Sequence, residues 1–230
     1  EPTNFGIWGD KEYTPQNYDG KFRGPVTLRD ALAQSLNVPS VKVLADIAGL
    51  QDSIELAKRM GITTLTQDPS FYGLALVLGG GEARLLDMVS AYGVFANAGK
   101  RVSPFAISRV EDSGGSVLEQ RGGQTQSVLP AEVAQTITDI LSDNQARAPI
   151  FGARSPLYFP NGRVAAKTGT TQDYKDGWII GYTSDIVSGV WVGNNNGEEM
   201  RQEPGSVVAG PMWHQFMEYA IAARKGVSGN

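Results

Sequence analysis

The sequence predicts an α+β fold, and three observations carry that prediction. From residue 26 to residue 100, apolar side chains recur at helical spacing in segments separated by glycine and proline. After residue 100 the pattern changes to strand-like runs, a hairpin signature and three strand candidates in succession before a last helix. The chain has 230 residues, 41% of them hydrophobic, which is enough for one domain with a substantial core. The expected organisation is one domain over 1–230. It divides into a helical lobe at 26–100, a hairpin at 101–126, and a helix, a sheet and a closing helix at 127–230.

Residues 1–25 are rich in Gly, Pro, Asn and Tyr and read as an extended or looped entry. Thr27 caps a first helix, Leu28 to Leu36, with Asp30 three residues on as its capping partner. Pro39 pushes the residue before it away from helical geometry, so Asn37 and Val38 are expected in a loop. A second helix starts near Ser40, with Val41, Leu44 and Ile47 as its apolar stripe, and stops at Gly49. A third runs from Asp52 to Met60 and stops at Gly61. A fourth runs from Glu82 to Ala96, with Leu85, Met88, Val89, Tyr92 and Phe95 at helical spacing, and ends at Asn97-Ala98-Gly99. Phe105 to Val110 and Ser116 to Glu119 flank Asp112-Ser113-Gly114-Gly115 as a hairpin. Ser127 to Leu141 reads as a helix with Pro130 in its first turn. Residues 142–162, with Pro149, Pro156 and Pro160, read as a loop. Strands follow at 163–170, 177–183 and 186–193, the last leading into the turn Asn194-Asn195-Asn196-Gly197. Pro211 to Ala222 closes the chain as an amphipathic helix.

Composition excludes several classes of function. A net charge of −4 with both signs mixed leaves no basic patch or stripe for nucleic acid. The absence of cysteine removes disulfides and thiolate metal sites, and is compatible with an oxidising envelope compartment. His214 is the only histidine. No Gly-x-Ser-x-Gly elbow accompanies it, so it reads as a surface or partly packed helix residue rather than a triad member. No metal and no cofactor are expected. Gly79-Gly80-Gly81 is not a phosphate loop: Arg84 stands where a dinucleotide fingerprint needs a small residue, and no Gly-Lys-Ser/Thr follows. It reads as a turn before the fourth helix. No apolar run is long enough to span a bilayer. The chain opens on Glu1-Pro2-Thr3 without an initiator methionine. It is therefore expected to be a piece of something longer, with any membrane anchor outside it.

The residues that carry chemistry are Lys167-Thr168-Gly169-Thr170, on a predicted strand between Val164-Ala165-Ala166 and the strand-like run Gly177–Tyr182. Period-two geometry puts Thr168 and Thr170 on one face. Two hydroxyls and an ammonium on one strand edge can hold a carboxylate. Gly169 adds no side chain, so a ligand backbone can approach the edge. The Thr170 N–H is a candidate oxyanion donor. The second candidate is Ser35-Leu36-Asn37, at a helix end in the helical lobe, where side chains can project into a cleft. Ser142-Asp143-Asn144 has a similar spelling, but at a helix C-terminus opening a long loop these residues are ordinary terminators. Ser35 is the preferred reading.

With these motifs on the page, the sequence resembles the class A, bifunctional penicillin-binding proteins over nearly its whole length. The similar stretches are Gly24 to Val41, Leu86 to Tyr92, Phe95 to Gly99, Ala166 to Thr171 and Asp176 to Thr183, in the family's order. The resemblance implies a transpeptidase domain of the serine β-lactamase-like fold, an antiparallel sheet flanked by helices with an all-helical lobe across a cleft. It implies a serine that attacks the D-Ala-D-Ala end of a peptidoglycan stem peptide and passes the acyl group to an amine on a neighbouring stem. β-Lactam antibiotics imitate that substrate. In family terms Ser35 relays protons, Asn37 holds the acyl-side amide, and Lys167 supplies positive potential. Thr168 and Thr170 grip the terminal carboxylate across Gly169, and the Thr170 amide forms half of the oxyanion hole. The implied location is the extracytoplasmic face of the bacterial inner membrane, with a glycosyltransferase and an anchor upstream.

The pattern breaks at the nucleophile. The family's Ser-x-x-Lys is absent: no Ser or Thr has a lysine three residues on. Ser40 has Lys42 two residues on, which on a helix puts the side chains on different faces. The domain is expected to be N-terminally incomplete, lacking its central helix and first strands, and the chain alone is expected to be inactive and poorly stable. Its missing segment is then itself a required partner. Two alternatives share these residues: a β-lactamase or D,D-carboxypeptidase, and a non-catalytic module that binds D-Ala-D-Ala or β-lactams.

Overall fold

The computed structural model describes residues 1–8, 11–160 and 162–227. In the entry segment β1 (Ile7–Trp8) lies antiparallel to β2 (Lys11–Glu12), a small pairing the sequence did not signal. The first helix, α1 (Leu28–Ala33), is capped by Thr27, whose Oγ1 accepts from Asp30 N at 3.0 Å and donates to the Asp30 carboxylate at 2.6 Å. It stops short of the expected Leu36 because Ser35 has a φ of 57°, a left-handed conformation that ends a right-handed helix.

Pro39 requires a correction. It does not hold Asn37 and Val38 in a loop, because α2 (Asn37–Val43) begins at Asn37. Pro39 is the third residue of that helix, where the N–H it lacks would have had no intrahelical partner. The helix continues through a wide turn over Leu44–Ala48, closed by Gly49 N donating to Leu44 O at 2.9 Å. The wide turn rotates Ile47 out of its expected stripe: Val41 and Leu44 are buried, whereas Ile47 is 77% exposed. Next comes α3 (Leu50–Met60), stopped by left-handed Gly61. A short α4 (Pro69–Tyr72) and a 3-10 turn over Leu74–Leu78 precede α5 (Leu85–Ala96). The glycine triplet terminates the 3-10 turn, with Gly80 N donating to Ala75 O at 2.9 Å. Ile54, Ile62, Leu65, Tyr72 and Ala91 form the core of this lobe.

After β3 (Lys100–Val102), β4 (Arg109–Glu111) and β5 (Val117–Gln120) make the exposed hairpin. The Asp112 carboxylate holds its turn by accepting from Gly114 N and Ser116 N. β6 (Thr125–Ser127) then returns to pair with β3. α6 (Ala131–Leu141) starts just after Pro130. The expected loop at 142–162 contains a helix, α7 (Asn144–Phe151), capped by Asp143, which accepts from Ala146 N at 2.9 Å.

The main sheet has the order β7 (Ala165–Thr170), β8 (Asp176–Tyr182), β9 (Val187–Gly193), all antiparallel. The short α8 (Gly205–Val208) leads into α9 (Gly210–Val227). Trp213 and Met217 of α9 are fully buried against one face of the sheet, with Ile179 and Ala209. On the other face Tyr182 packs among Tyr92, Phe95 and Leu141. A sheet with helices on both faces and a helical lobe beside it is the α+β class expected.

Candidate active site

Strand β7 is an edge strand: among the described residues it pairs only with β8. Thr171 N donates to Asp176 O at 3.1 Å. By antiparallel alternation the N–H and C=O groups of Thr168 and Thr170 then point off the open edge. The register aligns Thr168 with Ile179 and Thr170 with Gly177, so both hydroxyl side chains start on the α8–α9 face. Lys167 starts on the opposite face, and its four-carbon stem carries the ammonium back to the edge. There Nζ donates to Thr168 O at 2.8 Å and to Ser35 Oγ at 2.6 Å. Burial alone, with no acidic partner, lowers the Lys167 pKa from 10.5 to about 8.

The Ser35-Leu36-Asn37 elbow meets this ammonium. Ser35 reaches it from a strained left-handed backbone, Leu36 is buried beneath, and Asn37 is the first residue of α2. Asn37 Nδ2 donates to Gln16 O at 2.8 Å, a bond that uses one of its two N–H donors and leaves the other and Oδ1 for further partners. Buried Asn17 accepts from Val38 N at 3.2 Å. Neither Gln16 nor Asn17 stands out in the sequence, because each acts across 21 residues of an irregular segment.

The Thr170 end of the strand is braced by groups that the motif does not include. Thr170 Oγ1 accepts from Gly205 N at 2.9 Å, tying the strand to α8. The Asp176 carboxylate accepts from Thr171 Oγ1 and Trp191 Nε1, both at 2.8 Å, and so clamps the β7–β8 turn. Within that turn Asp173 and Tyr174 both have positive φ. Tyr174 meets Tyr18 edge to face, with ring centroids 6.4 Å apart. A hydrogen bond to Tyr174 pushes the Tyr18 hydroxyl up to about 12, with burial second.

The residues set aside in the sequence have other contacts. Ser142 Oγ accepts from Arg163 Nε at 2.8 Å, beside the Arg29–Asp139 and Arg29–Asp143 ion pairs. Ser40 Oγ donates to Leu36 O at 2.8 Å, a helical back-bond. His214 is partly packed, with Nδ1 2.7 Å from Pro156 O and its ring against Phe159.

The three-stranded sheet with helices on both faces is of the β-lactamase-like α+β class, and its edge strand sets an ammonium that has no counter-ion among the described residues against the hydroxyl and carboxamide elbow. Known proteins narrow the class. The chain belongs to the penicillin-binding protein transpeptidase family: the family model described as the penicillin binding protein transpeptidase domain matches residues 3–218. The chain is 37% identical over 210 residues to penicillin-binding protein 1A of Aquifex aeolicus, covering 90% of this chain and 27% of that protein. With penicillin-binding protein 1A of Neisseria lactamica it shares 33% identity over 229 residues, 97% of this chain and again 27% of the relative. It therefore spans little more than a quarter of the length of these relatives. The crystal structure of penicillin-binding protein 1A from Haemophilus influenzae matches the fold with a TM-score of 0.84 at 24% identity, over 96% of this chain and 38% of that one. PonA1 from Mycobacterium tuberculosis in complex with penicillin V matches with a TM-score of 0.78 at 28% identity, over 90% and 60% respectively.

Proposed function

We propose that this domain provides the carboxylate-binding and proton-relay part of a peptidoglycan D,D-transpeptidase, and that it binds β-lactams as mimics of the D-Ala-D-Ala terminus. One observation carries the reading: the Lys167 ammonium is crowded by protein and has no carboxylate partner among the described residues. Ser35 and Thr168 take two of its three protons. A ligand carboxylate at the strand edge takes the third and offsets part of the burial cost. Thr168 and Thr170 add hydroxyl donors, and Gly169 lets the ligand backbone approach. The Thr170 N–H, off the open edge, serves the developing oxyanion. Asn37 holds the acyl-side amide of the substrate through its carboxamide. Ser35 passes a proton between nucleophile and leaving nitrogen.

The reaction balances as an acyl transfer. A serine oxygen attacks the carbonyl between the two D-alanines, the C–N bond breaks, and the last D-alanine leaves with the proton. An amine of a second stem peptide then displaces the serine. No Ser or Thr here has a lysine three residues on, so the nucleophile and its base belong to a missing segment of the same domain. That segment is the partner this chain requires, and the chain alone does not acylate. The working location is the outer face of the bacterial inner membrane. No helix among the described residues is long and apolar enough to cross a membrane.

The test is labelling with fluorescent penicillin of the parent protein that carries the Ser-x-x-Lys segment, beside its Lys167→Ala variant. The parent should label, and the variant should label at least about tenfold more slowly, the scale of one lost charge-assisted contact. Equal labelling removes Lys167 from the mechanism. No labelling of the parent rejects the acyl-transfer reading in favour of a non-catalytic binding module.

A further inference from the structure

The helix that carries Asn37 has no cap of its own. Leu36 stands at its N-cap position and offers no side-chain bond, although the first turn of a helix leaves its N–H groups without partners. One of them, Val38 N, is taken by Asn17 Oδ1 from 21 residues upstream. Asn17 is 7% exposed, and its Nδ2 donates to Lys21 O at 2.7 Å. Turning this carboxamide over would set N–H against N–H and oxygen against oxygen, so its orientation is unique. The neighbouring Gln16 carbonyl accepts from Asn37 Nδ2. On its other side Tyr18 touches Tyr174 beyond the end of β7. Residues 16–21 thus form a strap, tied to the elbow by two hydrogen bonds and to the strand side by an aromatic contact.

We propose that Asn17 is a positioning residue for Asn37. As the remote cap of α2, it fixes the strap so that the Gln16 carbonyl holds one Asn37 Nδ2 proton and keeps the Asn37 carboxamide in one orientation toward the ligand. Only the identity of the ligand, a peptide-like amide, rests on the proposed function. Asn17 touches no ligand atom itself.

Two measurements on the parent protein test this. The first is side-chain amide NMR of Asn37. Its NH₂ protons should be protected from exchange in the wild type and lose that protection in Asn17→Ala. Asn17→Asp keeps an oxygen for the Val38 N–H and should retain it. Unchanged Asn37 signals in Asn17→Ala overturn the proposal, whether or not the protein acylates. The second compares acylation by benzylpenicillin, which carries an acylamino group, with acylation by 6-aminopenicillanic acid, which has a free amine in its place. Asn17→Ala and Asn37→Ala should each lower the ratio of the two rate constants about tenfold, and the double variant should lower it no further. Equal loss toward both β-lactams marks a merely structural residue and overturns the proposal. Absence of acylation in the wild-type parent instead sinks the transpeptidase reading, and the NMR result then decides the role of Asn17.

Discussion

Lys167 stands where a positive charge is costly until an anion arrives. With its pKa lowered by burial to about 8, its ammonium is lost at a far lower pH than an ordinary lysine's. The second-order rate of acylation reports the free protein. In the parent it should fall as pH rises through about 8, and that limb should move up or vanish in Lys167→Arg. A rate flat to about pH 10 contradicts this. The linkage has the matching sign. The unfolded lysine keeps its proton to about 10.5, so this group's contribution to stability rises between about 8 and 10.5 and is constant below 8. Ser35 carries a different cost, its left-handed φ of 57°. Ser35→Gly and Ser35→Ala both remove the hydroxyl, so their difference isolates backbone strain. Denaturant titration should find the glycine variant more stable by about 1 kcal/mol; equal stability means the strain is absent. Both side chains were legible as candidates because each sits in a short motif of recognisable chemistry. The strain at Ser35 and the bond from Asn17 were not, since neither φ nor a contact across 21 residues leaves a local pattern.

At the scale of elements, the strand that bears the site depends on a helix the sequence did not signal. Gly205 opens α8 directly against β7. A Cβ there would collide with the Gly169 carbonyl oxygen and lie 2.9 Å from the backbone N and O of Trp178. Backbone atoms cannot move aside as a flexible side chain can, so Gly205→Ala must lift α8 from the sheet and break its bond to Thr170 Oγ1. The expected cost is about 1–3 kcal/mol, with slower penicillin labelling of the parent. Val207→Ala on the same helix, at a position 50% exposed, should stay within about 0.5 kcal/mol. A neutral Gly205→Ala would mean that α8 is not packed as described. The three main strands were readable because alternation and adjacency in the chain point to the same sheet. The unread elements share physical reasons. α4, α8 and the 3-10 turn are too short to show a period. α7 contains Pro149, and Pro39 was read as a breaker although a first-turn proline is tolerated. The β3–β6 pairing joins strands of three residues each across the whole hairpin.

For the whole molecule the decisive feature is the far side of the sheet. β9 ends the strand order, so its outer edge is unpaired among the described residues. Along it runs an apolar groove of about 620 Å³, lined by Leu85, Leu86 and Val89 of α5, Val190 of β9, and Met212 and Phe216 of α9. Leu86, Met212 and Phe216 are each more than half exposed. An unpaired edge beside exposed apolar side chains is a hazard that folded proteins normally cover. No Ser or Thr of the 230 residues has a lysine three residues on. In the proposed transpeptidase one further segment supplies both an edge partner and the nucleophile, adding backbone to β9 and carrying that nucleophile into the cleft beside Ser35. The isolated chain should then form no covalent penicilloyl adduct by intact mass. Those β9 amides that point off the open edge should also exchange rapidly, at the low-stability end of the molecule. In the parent the adduct should form and the β9 amides become protected together. Stable acylation of the isolated chain would require a nucleophile among these residues and would break the argument. Protection of β9 without the segment would show that the edge is satisfied some other way.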